Sequence, residues 1–371
     1  MSKERVIVAM SGGVDSSVTA ALLKERGYDC VGVFLRNGIE SKHSCGHKGC
    51  CSATDAADAR TIAHRLGIPF YSLNFEQDFK GLINYFVREY NNGRTPNPCV
   101  MCNEHLKFGK LSRYAEAMGA RYVATGHYAR IVRTAGRAEL HCGVDQTKDQ
   151  SYVLFGTLPD QIDHMLLPMG EYQKHEVRAM AERMKLPVFA KLDSQEICFV
   201  PDNQYFNLIK ERSPDAVQGG KIVDGDGNEL GEHDGYQQFT IGQRRGVGVA
   251  AGHPIYVTNI DPNTATVTVG PREQLLRPTL QASRFNWLID RPNDPVRINA
   301  KIRYNHEGAA ATAHAIAEDK VEVSFDEPQS AITPGQAVVI YQGTKVLGGG
   351  WIDGVSHAKP QTREVIQDNP S

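Results

Sequence analysis

The stretch Ser11-Gly12-Gly13-Val14-Asp15-Ser16-Ser17 constrains this chain more than any other. It follows Arg5-Val6-Ile7-Val8-Ala9-Met10, a short apolar run that reads as a buried parallel strand. It precedes Val18 to Arg26, a run of good helix formers that stops at Gly27. Strand, glycine turn and helix N-terminus together make an anion site. The first backbone N–H groups of a helix have no internal partner, and the helix dipole adds partial positive charge. Gly12 and Gly13 allow close approach of a phosphate, Ser11, Ser16 and Ser17 offer hydroxyls, and Asp15 is placed to hold Mg²⁺ through water.

The loop lacks the Gly-Lys-Ser/Thr ending of a Walker A sequence, and it is not GxGxxG. It resembles the pyrophosphate loop (PP-loop) of enzymes that split ATP into AMP and pyrophosphate to activate an oxygen atom. The bland alternative is a tight strand–helix turn with a serine cap. Seven matching residues in a strand–turn–helix context favour the phosphate loop.

Further along, Cys30 to Leu35, Pro69 to Leu73 and Tyr122 to Thr125 read as strands, and Thr54–Leu66, Asp78–Tyr90 and Asn103–Met118 as helices. Strands alternating with helices predict an α/β domain with a doubly wound parallel sheet, whose ligands sit beyond the carboxyl ends of the strands. Ser11, Leu35, Gly126 and His127 fall at those ends. The 371 residues suggest two or three domains, and 41 basic against 43 acidic residues exclude a globally polybasic binder. No apolar run approaches a membrane span and no targeting segment is evident, so a cytoplasmic protein without membrane partners is expected.

Eight cysteines in such a chain point to thiol or metal chemistry in a reducing compartment more than to a disulfide framework. Cys45, Cys50 and Cys51 sit with His43 and His47 in a glycine-containing stretch; their spacing matches no standard zinc knuckle and reads as a flexible loop. Cys30 and Cys142 lie in apolar or strand-like sequence and read as packing residues. In Arg94-Thr95-Pro96-Asn97-Pro98-Cys99-Val100-Met101-Cys102-Asn103, the expected cap at Asn103 or a neighbour puts Cys102 near a helix N-terminus, which favours thiolate, with Lys107 close by. Cys99-x-x-Cys102 alone allows a redox pair, half a metal site, or one nucleophile with a helper. A third cysteine, Cys198, follows the polar run Lys191 to Glu196 and so reads as a loop residue.

These motifs occur in one order with Ala124-Thr125-Gly126-His127-Tyr128, Lys148-Asp149-Gln150-Ser151-Tyr152, Ser194 to Phe199, and Thr240-Ile241-Gly242-Gln243-Arg244-Arg245-Gly246. From about Lys3 to about Val355 the chain resembles the bacterial tRNA-specific 2-thiouridylase (tRNA-uridine 2-sulfurtransferase) family. The resemblance implies ATP binding at Ala9, Met10, Ser11, Gly12, Gly13, Val14, Asp15, Ser16, Leu35 and Gly126. It implies Cys102 as nucleophile and Cys198 as carrier of a persulfide supplied by a donor protein. It implies tRNA contacts at Asn97, Pro98, Cys99, His127, Lys148, Asp149, Gln150, Arg303, Tyr304 and Gln336. The implied reaction is thiolation of the wobble uridine in the anticodon stem-loop: AMP is attached to the C2 oxygen, with Mg²⁺ assisting, and sulfur displaces AMP. Many members carry Asp where this chain has Cys99. Cys99, Cys102 and Cys198 therefore leave open a [4Fe-4S] cluster whose free iron binds sulfide. A reading from another class, a non-catalytic RNA-binding or metal-sensing protein, would not need Asp15, Cys102 and Cys198 together.

Beyond the ATP-binding domain, expected over residues 1–210, composition turns toward strands and turns. A small β-rich middle domain is expected over 211–277, with a hairpin at Lys221 to Leu230 and strands at Tyr256–Ile260 and Ala265–Val269. A tRNA-contacting β-barrel is expected over 278–356 and a mobile polar tail over 357–371. Arg244-Arg245 reads as a phosphate contact. Between Arg272 and Arg303 seven basic residues face three acidic ones, which with Phe285 and Tyr304 suits an RNA platform.

Overall fold

The computed structural model describes residues 3–38, 53–134, 136–192, 197–200, 204–250 and 252–354. The stretch with Cys45, Cys50 and Cys51, the segment Asp193 to Glu196 and the tail 357–371 lie outside the described residues.

β1 (Arg5–Ala9) is the centre of the first sheet. Val6, Ile7 and Val8 are wholly buried, as expected of a strand covered by helices on both faces. The chain continues through α1 (Val14–Glu25), β2 (Asp29–Arg36), α2 (Ala53–Leu66), β3 (Phe70–Asn74) and α3 (Glu76–Asn91). After α4 (Pro98–Met101) and α5 (Leu111–Ala117) come β4 (Tyr122–Ala124), the hairpin β5 (Ala129–Arg133) and β6 (Ala138–Cys142), α6 (Pro159–Ile162), β7 (Met165–Leu166) and α7 (Lys174–Arg183). Five strands form a parallel sheet in the order β3-β2-β1-β4-β7. The chain leaves β1 toward β2 on one side while β4 lies on the other, so the switch point falls where Ser11 follows β1. The doubly wound sheet expected from the sequence is present.

One expected helix is not a plain α-helix. Between α4 and α5, Cys102–Lys110 is π-helical. The wide turn brings Gly109 back onto the Glu104 carbonyl, where a Cβ would sit at 2.7 Å, so a glycine is needed there. Asn103 anchors the segment by donating from Nδ2 to the Val153 carbonyl at 3.0 Å.

α8 (Tyr205–Arg212) leads to a four-stranded sheet, ordered β10 (Tyr256–Asp261), β11 (Thr266–Gly270), β8 (Gly220–Val223), β9 (Glu229–His233). Ile222, Val257, Val267 and Val269 form its own core. Six strands then follow: β12 (Leu276–Trp287), β13 (Val296–Lys301), β14 (Ala309–Ala317), β15 (Lys320–Ser330), β16 (Ala337–Gln342) and β17 (Lys345–Gly354). They pair in the order β12-β15-β14-β13-β16-β17, and β17 pairs back to β12, which closes an antiparallel barrel. β16 is buried on both faces. Val338 and Ile340 fill the barrel, while Ala337, Val339 and Tyr341 join the core of the first domain. The β5–β6 hairpin, not foreseen in the sequence, meets β17 at His141 and Lys345 and extends the barrel sheet.

Candidate active site

The glycine loop closes onto itself and onto α2. Gly13 caps α1 with extended backbone. Ser16 Oγ accepts from the Ser11 amide at 3.1 Å and donates to the Gly13 carbonyl at 3.2 Å, and Ser17 Oγ donates to the same carbonyl at 2.6 Å. The hydroxyls of Ser16 and Ser17, expected to face an anion, thus shape the loop instead; both residues are buried, whereas Ser11 is exposed. Gly12 has φ +73°, and a Cβ there would sit 2.3 Å from the Asp55 carbonyl oxygen. Gly126 backs onto Asp15 and Ser16, where a Cβ would lie 2.8 Å from the Ser16 nitrogen. Ala9, Met10 and Leu35 line the strand ends beside the loop.

Two lysines absent from the sequence reading attend this loop. Lys174, at the start of α7, places Nζ 2.7 and 2.8 Å from the two Asp15 carboxylate oxygens, and Tyr128 donates its hydroxyl to Asp15 Oδ1 at 2.8 Å. Lys191 donates to the Gly12 carbonyl at 2.9 Å, to Asp55 at 2.6 Å and to Asp58 at 2.7 Å. Burial acts to lower the Lys191 pKa, but the hydrogen bonds and charges of Asp55 and Asp58 outweigh it and the net shift is upward. Nothing in the local sequence separates these lysines from solvated ones; their partners are 159 and 136 residues away. Asp15 is already ion-paired, so the loop fits a Mg²⁺ carried mainly by nucleotide phosphates and water rather than by a protein cage.

The cysteine segments meet on one core. Asn97, not Asn103, caps α4, its Oδ1 accepting from the Val100 amide at 3.4 Å, with Pro98 next. Cys99 therefore lies in the first helical turn and is exposed; Cys102 lies a turn further in. Cys102 and Cys198, 96 positions apart, both pack against the hydrophobic cluster that includes Ile7 of β1. Phe199 sets the Cys198 segment edge-on against Phe86 of α3, ring centroids 5.3 Å apart, and α3 also packs on α4. Cys30 is buried in the other face of the sheet, and burial lifts its thiol to about 11, which agrees with a packing residue. Among the described residues no group of three His, Cys, Asp or Glu side chains converges to hold a metal ion. The donors expected for a three-thiolate cluster are not brought together.

The residues expected to touch RNA divide into two sets. Arg303 and Tyr304 of the barrel are exposed and Lys148 is half-buried. Burial, followed by the charges of Asp149 and Cys99, raises the Tyr304 hydroxyl, so this ring lies within electrostatic reach of both. The other set is engaged inside the protein. Asp149 accepts from the Gly143 amide at 2.9 Å and the Ser151 hydroxyl at 2.8 Å. Gln150 Oε1 accepts from the Tyr128 amide at 3.0 Å. Gln336 donates to the Thr95 and Pro96 carbonyls at 3.1 and 3.3 Å, clamping the approach to Cys99. His127 is buried with Nδ1 2.6 Å from Thr125 Oγ1; burial, then the Lys107 charge, holds its pKa well below the ordinary value.

A phosphate-binding turn at the switch point of a parallel sheet, followed by a small β domain and a closed barrel, defines a three-domain protein of the PP-loop class. Models described as "tRNA methyl transferase HUP domain", "tRNA methyl transferase PRC-barrel domain" and "Aminomethyltransferase beta-barrel domain" match residues 4–202, 207–271 and 277–352. A tRNA-specific 2-thiouridylase MnmA of Rhodopirellula baltica is 46% identical, covering 94% of this chain and 96% of its own length. Relatives of the same name from Clostridium perfringens and Carboxydothermus hydrogenoformans are 47% and 48% identical, each covering 95% of this chain and 99% and 98% of their own. The chain belongs to the tRNA-specific 2-thiouridylase family.

Proposed function

We propose that this protein is an ATP-dependent tRNA-uridine 2-sulfurtransferase acting on the wobble uridine. The observation that carries the reading is the packing of Cys102 and Cys198 on the core shared with β1, whose end bears the phosphate loop. Residues 1–210 do the chemistry in this scheme, 211–277 form the middle domain, and 278–356 supply the RNA-facing barrel.

Uracil's C2 oxygen is a poor leaving group. Its attack on the α-phosphorus of ATP expels pyrophosphate and makes the oxygen part of AMP. The loop from Ala9 to Ser16, with Leu35 and Gly126, holds the nucleotide, and the α1 N-terminus stabilises phosphate charge. Mg²⁺, bound with ATP near Asp15, would neutralise phosphate charge. Lys174 adds a fixed cation beside Asp15. The base leaves its stack to reach Asn97, Pro98 and Cys99, which an anticodon loop permits at low cost. Cys198 accepts sulfur from a donor protein as a persulfide. The Cys102 thiolate attacks its inner sulfur and releases hydrosulfide, which adds to C2 and expels AMP. The resulting Cys102–Cys198 disulfide takes two electrons from a thiol reductant before the next turnover. Lys148, Arg303 and Tyr304 contact the RNA, while His127, Asp149, Gln150 and Gln336 hold the surfaces that do so.

The family-model descriptions speak of methyl transfer. An oxygen-activating loop and a cysteine pair favour sulfur, since methylation needs neither. The test is a split between half-reactions. With tRNA and ATP, Cys198→Ser still forms pyrophosphate but yields no thiouridine from a persulfide donor, whereas Asp15→Asn loses pyrophosphate release as well. Loss of pyrophosphate release in Cys198→Ser alone would count against the scheme.

A further inference from the structure

The three domains leave a cleft of about 510 Å³ where they meet, within the roughly 300–1,000 Å³ range of small-ligand sites. Thr95 comes from the loop that leads to Cys99, Thr240 and Arg272 from the middle domain and its exit, and Arg303, Ala331 and Gln336 from the barrel. No Asp or Glu is among the described lining residues, so the two arginines give the cleft unopposed positive charge. Thr95, Thr240, Ser330 and Thr333 add hydroxyls. Arg244 and Arg245 lie two and three residues beyond Gly242 at its wall, and both are exposed.

We propose that this cleft binds the sugar-phosphate backbone of the RNA strand flanking the target base, with Arg272 as a phosphate contact. The inference rests on the RNA substrate proposed above. Position argues for it. Gln336 lines the cleft and also clamps Thr95 and Pro96 before Cys99. Arg303 is followed by Tyr304, whose exposed ring is within electrostatic reach of Cys99. A strand that places one base at the Cys99 loop and crosses Tyr304 brings its next phosphates to Arg303 and Arg272. Phosphate contacts fix register without reading sequence, and a wall built from all three domains suits that task.

The test is the salt dependence of anticodon stem-loop binding by the full chain. Arg272→Gln lowers the slope of log affinity against log salt by about 0.7, one single-stranded phosphate contact, and Arg272→Lys restores it. Replacing loop phosphates one at a time by neutral methylphosphonate finds a position that weakens wild type and leaves Arg272→Gln unchanged. ATP affinity, unaltered in both variants, shows that the fold is intact. An unchanged slope in Arg272→Gln, or equal sensitivity of both proteins at every phosphate, overturns the inference. Saturable binding of inorganic phosphate that depends on Arg272, with an unchanged RNA slope, makes the cleft a free-phosphate site and also overturns it. If wild type binds no tRNA at all, the function proposed above fails first.

Discussion

At the residue scale, charge placement gives the sharpest expectations. Asp15 is held by Lys174, whose side chain is 12% exposed, and by Tyr128. Lys174→Met leaves that carboxylate without its counter-ion and removes a cation from the phosphate loop. We expect ATP affinity, measured by calorimetric titration, to fall about 10–100-fold. Adding Asp15→Asn recovers stability, read by urea unfolding, without recovering ATP affinity. His127 offers a pH test. Its folded pKa is depressed below about 6.5, by burial first and then by Lys107, so the unfolded chain binds the proton more readily. Stability from this group is present above the unfolded pKa. It is lost as pH falls below that value, by up to about 1.4 kcal/mol per unit until the folded pKa is passed. His127→Gln flattens the urea-measured slope between about pH 6.5 and 5; an identical slope in the two proteins contradicts the assignment.

At the element scale, the glycine loop, the parallel sheet and the barrel strands were legible because each follows from local pattern: buried runs, helix stops and regular turns. What stayed hidden depends on partners remote in sequence. The π-helical turn at Cys102–Lys110 needs Gly109 against Glu104 and Asn103 on Val153, which periodicity does not record. The β5–β6 hairpin is short and half-polar and becomes a strand pair by docking on β17. Lys174 and Lys191 look like solvated lysines until the fold brings Asp15 and Asp55 to them. Asp149 and Gln336 resemble surface contacts in a motif, yet their side chains tie loops together. A consequence follows for the segment before Cys99. Gln336→Ala frees the Thr95 and Pro96 carbonyls, and single-turnover thiolation should slow about tenfold while tRNA affinity changes by less than about twofold. A large loss of affinity with an unchanged rate would make Gln336 an RNA contact instead.

At the scale of the whole molecule, the barrel is part of the catalytic body. Trp351 of β17 is buried between Tyr85 and Phe155, ring centroids 6.1 and 6.0 Å away, in the core shared with the first domain. Trp351→Ala should cost about 3–5 kcal/mol, with hydrogen-exchange probes in β1 and β16 losing protection together. The middle domain, with its own core, should respond less. This joint construction lets one chain hold ATP at the sheet, a cysteine pair on the shared core and RNA across the barrel. No helix among the described residues is long and apolar enough to cross a membrane. The most direct measurement of the central claim is mass spectrometry of nucleosides from unmodified tRNA incubated with the protein, Mg²⁺, ATP and a persulfide donor. Our account predicts sulfur in place of oxygen at C2 of the wobble uridine, with AMP and pyrophosphate formed in equal amounts and no thiouridine with Cys102→Ser or Cys198→Ser. A methylated uridine, or thiouridine formed undiminished by the double cysteine variant, would contradict it.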